Sequence, residues 1–247
     1  MAKITLTCLL SLLASGQFAW GAATTTFPKS SGSTAFPTAS VVPTLFDGGM
    51  KKFNRSPNSC QGQTETGEAD AMFILEPGAT IQNVILGAEQ AEGIHCRGTC
   101  TIKNVWWEDV CEDAATFKHT SGTSYVIGGG AQKAEDKIFQ FNGRGTVSIK
   151  DFYANDYGKV IRSCGDCTGN GGPRNVIIDG VVAKDGGVLC GINTNFGDTC
   201  KISNSCQDNN KSCDRYKGVE KGSGSSSKIG SGPDGTYCTT TNFAATC

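Results

Sequence analysis

The sequence predicts a right-handed parallel β-helix stapled by disulfides, and three observations predict it. Acids recur at nearly one interval: Glu92, then Glu112 and Asp113, then Glu135 and Asp136, with 21 residues from Glu92 to Asp113 and 23 from Asp113 to Asp136. Short apolar-alternating runs recur beside them, at 79–87, 100–107, 124–130, 145–152, 174–182 and 199–205. A polar residue closes most of these runs: Asn83, Asn104, Asp151, Asp179 and Asn204, at intervals of 21, 47, 28 and 25. A unit of this length cannot bury an apolar face alone and must stack on its neighbours. A β-sandwich would instead show hairpins spaced by roughly 8–12 residues.

The elements follow in chain order. Met1-Ala2-Lys3, the apolar run ITLTCLLSLLA and the small-x-small Ala19-Trp20-Gly21 read as a secretory leader over 1–21, too short to span a bilayer. Residues 22–45, rich in Ser, Thr and Pro, predict an extended arm. The β-helix is expected over 46–206, its runs dominated by β-branched residues and punctuated by Gly, Asn and Asp. Asn at a repeated turn tolerates a left-handed backbone and can bond to its copy one coil away. The 47-residue gap is two units with SYVIGGG between them, and the 28-residue gap carries the insertion CGDCTGNGGP. Residues 207–247 predict a Cys-rich tail, with a flexible loop over 222–235.

Cysteine usage points to an exported protein. Of 13 cysteines, Cys8 lies in the leader, leaving 12, an even number that favours a disulfide framework. Cys96–Cys100 and Cys164–Cys167 are plausible short staples. A zinc site at Cys164 and Cys167 has no second Cys pair or neighbouring His pair to complete it. Lysine and arginine number 22 against 23 acids, a balance that excludes a field suited to nucleic acid. After the leader, no segment is long and apolar enough to anchor in a membrane. The expectation is a secreted, monomeric protein. Asn54-Arg55-Ser56 and Asn210-Lys211-Ser212 are glycosylation sequons.

Three carboxylate positions stacked roughly 4.8 Å apart would repel one another without a cation among them. Cationic residues accompany them: Lys118, Lys137 beside Asp136, then Lys159 and Arg162 in DYGKVIRSC. Lys159, 23 residues after Asp136, is expected to stack on the acid row. Calcium (Ca2+) takes several carboxylates and could bridge them to a ligand carboxylate, while Lys and Arg hold further ones. Uronic-acid polymers such as pectate have this character. The chemistry that follows is proton abstraction beside a uronate carboxylate, with a metal acidifying that proton and a nearby base, such as a lysine of lowered pKa, removing it.

The segments FDGGMKKF (46–53), FILEPGATIQNVILG (73–87), EGIHC (92–96), NVWWEDVCEDA (104–114) and DYGKVIRSCGDC (156–167) resemble the pectate lyases of polysaccharide lyase family three. The resemblance implies a secreted β-helix that cleaves de-esterified pectin, the polygalacturonate of plant cell walls, by calcium-dependent β-elimination. It implies Glu92, Glu112 and Asp113 as calcium ligands and Lys137 as general base with Asp136 beside it. It implies Arg162 as the catalytic arginine that binds or stabilises substrate, and Lys118 and Lys159, with Asp136, as substrate-binding residues. Asp109 and the Val110 carbonyl are implied as a separate structural calcium site. Two rivals remain at this level. A polygalacturonase would hydrolyse the same polymer without metal but needs a clustered Asp pair and a nearby His; His95 and His119, the only histidines, read as structural or rim residues. The other rival is a non-catalytic polyuronate-binding or surface protein.

Overall fold

The structure, a computed structural model, describes residues 23–247; the leader read at 1–21 lies outside them. Each short strand finds its partners one coil away. Thr80–Leu86 pairs in parallel with Leu45–Arg55 on one side and Thr101–Trp107 on the other, setting Ile81 on Ile102 and Val84 on Val105. Repeated along the chain, this pairing yields a parallel β-helix of three sheets. The first passes through residues 40–42, 73–75, 94–96, 115–117, 137–141, 159–163, 188–193 and 213–216. The second contains 45–47, 80–82, 101–103, 123–127, 145–150, 174–179, 199–203 and 238–241. The third contains 33–36, 52–55, 84–86, 105–107, 130–134, 153–157 and 182–186.

The corner between the second and third sheets explains the recurrent Asn. Asn83, Asn104, Gly128, Asp151, Gly180, Asn204 and Asn242 occupy it in successive coils, and all have φ between 47° and 69°. This is the left-handed region, which Gly enters freely and Asn and Asp enter at least cost. The Asn104 side-chain amide donates to the side-chain oxygen of Asn83 at 2.9 Å, and Asn242 does the same to Asn204 at 2.9 Å. Asp179 departs from the expectation. Lys150 pairs with Asp179, so Gly180 stands opposite Asp151 at the corner; Asp179 instead accepts from Asn204 at 2.8 Å.

Inside the coils, Ile81, Val84, Ile102, Val105, Val147, Ile149, Val176 and Ile178 are all at most 1% exposed, the core expected of them. Trp107, Phe117, Phe139, Phe141 and Phe152 are fully buried with them. Truncating such a side chain loses its transfer energy and leaves a cavity, so Ile178→Ala should cost about 2–5 kcal/mol. In a thermal melt it should lower Tm by more than any single substitution within 222–235.

Both ends depart from the sequence reading. The arm predicted at 22–45 enters the solenoid: Ser33–Phe36 pairs with residues 52–55, and Ser40–Val42 pairs with Phe73–Leu75. The tail also continues the coil, with Cys213–Lys217 on the first sheet and Cys238–Ala244 stacked on Thr199–Gln207. Within the loop predicted to be flexible, Ser227–Ser231 pairs antiparallel with Cys213–Lys217. The short strands at both ends carry Ser and Thr, and their order comes from the coil beneath them. Six disulfides join the 12 cysteines: Cys60–Cys111, Cys96–Cys100, Cys164–Cys167, Cys190–Cys200, Cys206–Cys247 and Cys213–Cys238.

Candidate functional site

The site is built at the edge of the first sheet, where turns lead into its short strands. Ile94 pairs with Ala115, and Ala115 with Phe139, all three facing the core. Two residues back, in the turns before the strands Ile94–Cys96 and Ala115–Phe117, the same count sets Glu92 and Asp113 level with Lys137, which pairs directly with Lys159. The third position of the row is therefore a lysine, not the expected Asp136. The interval to the preceding coil is 24 rather than 23, since Trp107 pairs with Ala131 and Ala115 with Phe139. Against the following coil, the strand Gly130–Phe141 holds one residue more between Ala134 and Lys137 than its neighbour Tyr153–Ser163, a bulge that advances the chain by one place. Gly158 faces the bulge, and a Cβ there would collide with the Asp136 carbonyl oxygen. Lys159 accordingly stacks on Lys137, with its ammonium reaching back to Asp136 at 2.5 Å.

Glu92, Glu112 and Asp113 each offer a carboxylate oxygen to one cluster in which these atoms lie within 4.8 Å of one another. All three are buried. The Lys137 ammonium stands 3.0 Å from Glu112, 3.3 Å from Asp113 and 3.4 Å from Asp136. Burial alone would lower its pKa, but the charges of Asp113 and Glu112, joined by Asp136, outweigh burial and raise it. The lowered pKa expected of Lys137 is thus reversed while the carboxylates face it without another cation. Asp113 is pushed well above the carboxylate range, first by burial and then by Glu112, against the pull of Lys137. Glu92 lies below its usual value: burial raises it, but bonds from His95 at 3.0 Å and the Thr66 hydroxyl at 2.8 Å outweigh that. One oxygen of Glu112 is buried without a hydrogen-bond partner, and Oδ1 of Asp113 meets only the Lys137 ammonium. Three clustered hard oxygen donors, one of them with an unfilled acceptor and one lysine beside them, fit a calcium ion.

Sequence reading missed the loop over this cluster. Cys60–Cys111 pins it beside Glu112. Thr66 then caps Glu92 through its amide and hydroxyl, and Glu65 comes within 3.9 Å of Lys137. Burial, then Glu112, raises the Glu65 pKa. A cysteine immediately before Glu112 was the one available signal, and it needed a pairing partner to be useful. His95 was also underread: its buried ring faces Glu92 from the strand Ile94–Cys96. In the adjoining row, His95 pairs with Thr116, Thr116 with Gln140 and Gln140 with Arg162. The Thr116 hydroxyl and Gln140 carbonyl oxygen are buried without partners, and both residues line a cavity of about 110 Å³ shared with Glu92, Asp113 and Lys118.

The remaining predicted residues are distributed around the cluster. Lys118 pairs with Glu68 at 3.4 Å, and Glu68 also holds Arg97 at 2.6 Å. Arg162 is not brought to the acids. Its guanidinium donates to the Asn193 side chain at 2.9 Å and Ser226 hydroxyl at 3.0 Å, and stacks on Tyr216 at 3.9 Å. Asp109 pairs with Lys133 at 3.5 Å, and Val110 is buried; neither belongs to the carboxylate cluster, the one such group among the described residues. Cys164 and Cys167 are bonded to each other, which removes them as zinc ligands. His119 is structural as expected, lying between Ser124 and the Thr146 carbonyl oxygen, each at 3.1 Å.

Known proteins share this arrangement of strands. A family model described as pectate lyase matches residues 24–223. Pectate lyase H of Emericella nidulans is 50% identical over 204 residues, spanning 82% of this chain and 77% of that protein. Probable pectate lyase E of Neosartorya fischeri is 47% identical over 207 residues, spanning 83% and 81%. Among solved structures, the catalytic domain of pectate lyase PelI from Erwinia chrysanthemi gives a TM-score of 0.71 at 32% identity, covering 85% of this chain and 99% of that domain. PelI in complex with tetragalacturonic acid gives 0.70 at 33% identity, with 85% and 68% covered. The chain belongs to the pectate lyase family and is an enzyme of that activity.

Proposed function

We propose that the chain cleaves polygalacturonate by β-elimination at this edge of the first sheet, with Glu92, Glu112 and Asp113 holding calcium and Lys137 acting as general base. The observation that carries this reading is a cluster of three buried carboxylates whose oxygens lie within 4.8 Å of one another, with a lysine ammonium set against two of them, Glu112 and Asp113. When bound, calcium would draw charge from a substrate carboxylate and so acidify the proton on the adjoining carbon. Lys137 keeps its own proton because Asp113, Glu112 and Asp136 face it; neutralising those carboxylates removes that hold and frees the amine. The neutral amine takes the proton from the carbon next to the uronate carboxylate. The electron pair left there forms the new double bond as the glycosidic oxygen departs. His95 and Thr66 fix the orientation of Glu92.

Lys118 and Lys159 flank the cluster and are proposed to hold further uronate carboxylates. Arg162 would engage one by exchanging its bond to the half-buried Ser226 for a bidentate pair. Six disulfides suit an oxidising compartment, and we propose that the protein is secreted and acts as a monomer on plant cell-wall pectate.

Chelator treatment tests the reading. With polygalacturonate, the ultraviolet absorbance of the unsaturated product should rise, stop on adding EDTA and resume with excess calcium. Reducing sugar released without that absorbance, and unaffected by EDTA, would mean a hydrolase. No product under either condition would mean a binding protein.

A further inference from the structure

We infer that the C-terminal end of the same row is a binding subsite for a uronate unit of a long polygalacturonate chain, with Lys211 as its anion-binding group. This rests on the function proposed above. The register continues past the cluster: Lys159 pairs with Val188, and Cys190 pairs with Cys213, which sets Lys211 opposite Val188. The row thus runs from acids at Glu92 and Asp113 to cations at Lys137, Lys159 and Lys211. Lys211 stands three rungs beyond Lys137, roughly 14 Å away at the spacing of paired strands.

A cavity of about 500 Å³ opens there, bounded by Lys159, Lys211, Tyr216 and Lys228. The tail supplies its far wall, through the antiparallel pairing of Ser227–Ser231 on Cys213–Lys217. Asp214 is the one acid lining the cavity, and its charge is already matched. Lys228 lies 2.7 Å from it, and the Ser231 hydroxyl donates to it at 2.9 Å. Lys159 is engaged by Asp136. Among the described residues Lys211 has no carboxylate partner; its exposed ammonium donates to the Gly186 carbonyl oxygen at 3.2 Å. A cation answered only by a carbonyl, at the lip of a cavity whose acid is neutralised, favours an anionic ligand. Tyr216 adds an aromatic wall, held in place beneath the Arg162 guanidinium. A polymer with one carboxylate per unit, laid along the row, reaches Lys211 only when it extends several units past the reacting one. The subsite therefore sets preference for chain length.

The test compares wild type, Lys211→Gln and Lys211→Arg, all prepared without N-linked glycan because Asn210 of the sequon lines the same cavity. Lys211→Gln should raise KM for polygalacturonate about three- to tenfold, the range of one partly solvated charged contact, with kcat little changed. Its kcat/KM on trigalacturonate should stay near that of wild type, and Lys211→Arg should restore the polymer KM. An unchanged polymer KM, or an equal loss on polymer and trimer, overturns the subsite. Calorimetric binding of hexagalacturonate reads the subsite separately from catalysis. Affinity weakened by a similar factor in Lys211→Gln supports the subsite even if no lyase activity is found, which would sink only the proposed chemistry. Equal affinity in both proteins, or binding by neither, overturns the subsite whatever the activity.

Discussion

Lys137→Ala is expected to lower kcat on polygalacturonate by about 10²–10⁴-fold, the usual contribution of a general base, with a much smaller change in KM. Alanine also removes the cation between Glu112 and Asp113, both buried, so this variant should melt earlier than wild type in chelator. Two consequences are therefore mixed in one substitution, and Lys137→Arg separates them. Arginine keeps a positive charge beside the carboxylates but does not deprotonate in this pH range. Stability should largely return while turnover stays low. Normal turnover in Lys137→Arg would show that the proton is taken by another group.

Asp113→Ala is expected to abolish activity and weaken calcium binding, as measured by calorimetry, because it removes one of the three clustered carboxylates proposed to hold the ion. Asp113→Asn should do the same while revealing a stability that wild type forgoes. Burial and then Glu112 raise the Asp113 pKa in the folded protein, so the fold holds this proton more tightly than the unfolded chain does. Above the unfolded carboxyl value, ionising Asp113 therefore works against folding, and the penalty grows as pH rises toward the raised value. In chelator, Asp113→Asn should melt above wild type at neutral pH, and the gap should close in acid, where both side chains are neutral. Calcium binding to wild type should release a proton and tighten with rising pH. A variant that melts below wild type at neutral pH in chelator would contradict the assigned direction.

The coil and its core were legible because each depends on local patterning: alternating β-branched residues, and Asn or Gly where a corner needs positive φ. The charges were legible as residue types but not in phase. Counting intervals set Asp136 third in the acid row, with Lys159 stacked on it, and Asp179 at the corner. A coil one residue longer than counted puts Lys137 level with Asp113, a one-residue bulge then pairs Lys159 with Lys137, and Gly180 takes the turn. Spacing measures chain length, whereas the row is defined by pairing, and a bulge separates the two. The Glu65–Thr66 loop was harder still, since Cys60 and Cys111 are 51 residues apart and parity alone does not choose partners among 12 cysteines. Residues 33–42 and 213–244 carry short strands whose pairing is dictated by neighbouring coils rather than by their own composition.

The bulge before Lys137 also bears on how such a protein diversifies. Along the first sheet, a side chain's function depends on its phase relative to the coils on either side. Tyr153–Ser163 lacks the extra residue and still sets Lys159, Ile161 and Arg162 level with Lys137, Phe139 and Gln140, so the bulge absorbs a difference of one residue before the strand of the first sheet begins. Larger length changes are absorbed in loops, as the segment 164–173 does between Tyr153–Ser163 and Arg174–Asp179. Drift by substitution and drift by insertion thus act on separate parts of the molecule: substitution can retune which charges line the groove, while insertion is confined to the bulge and to the loops that wall it.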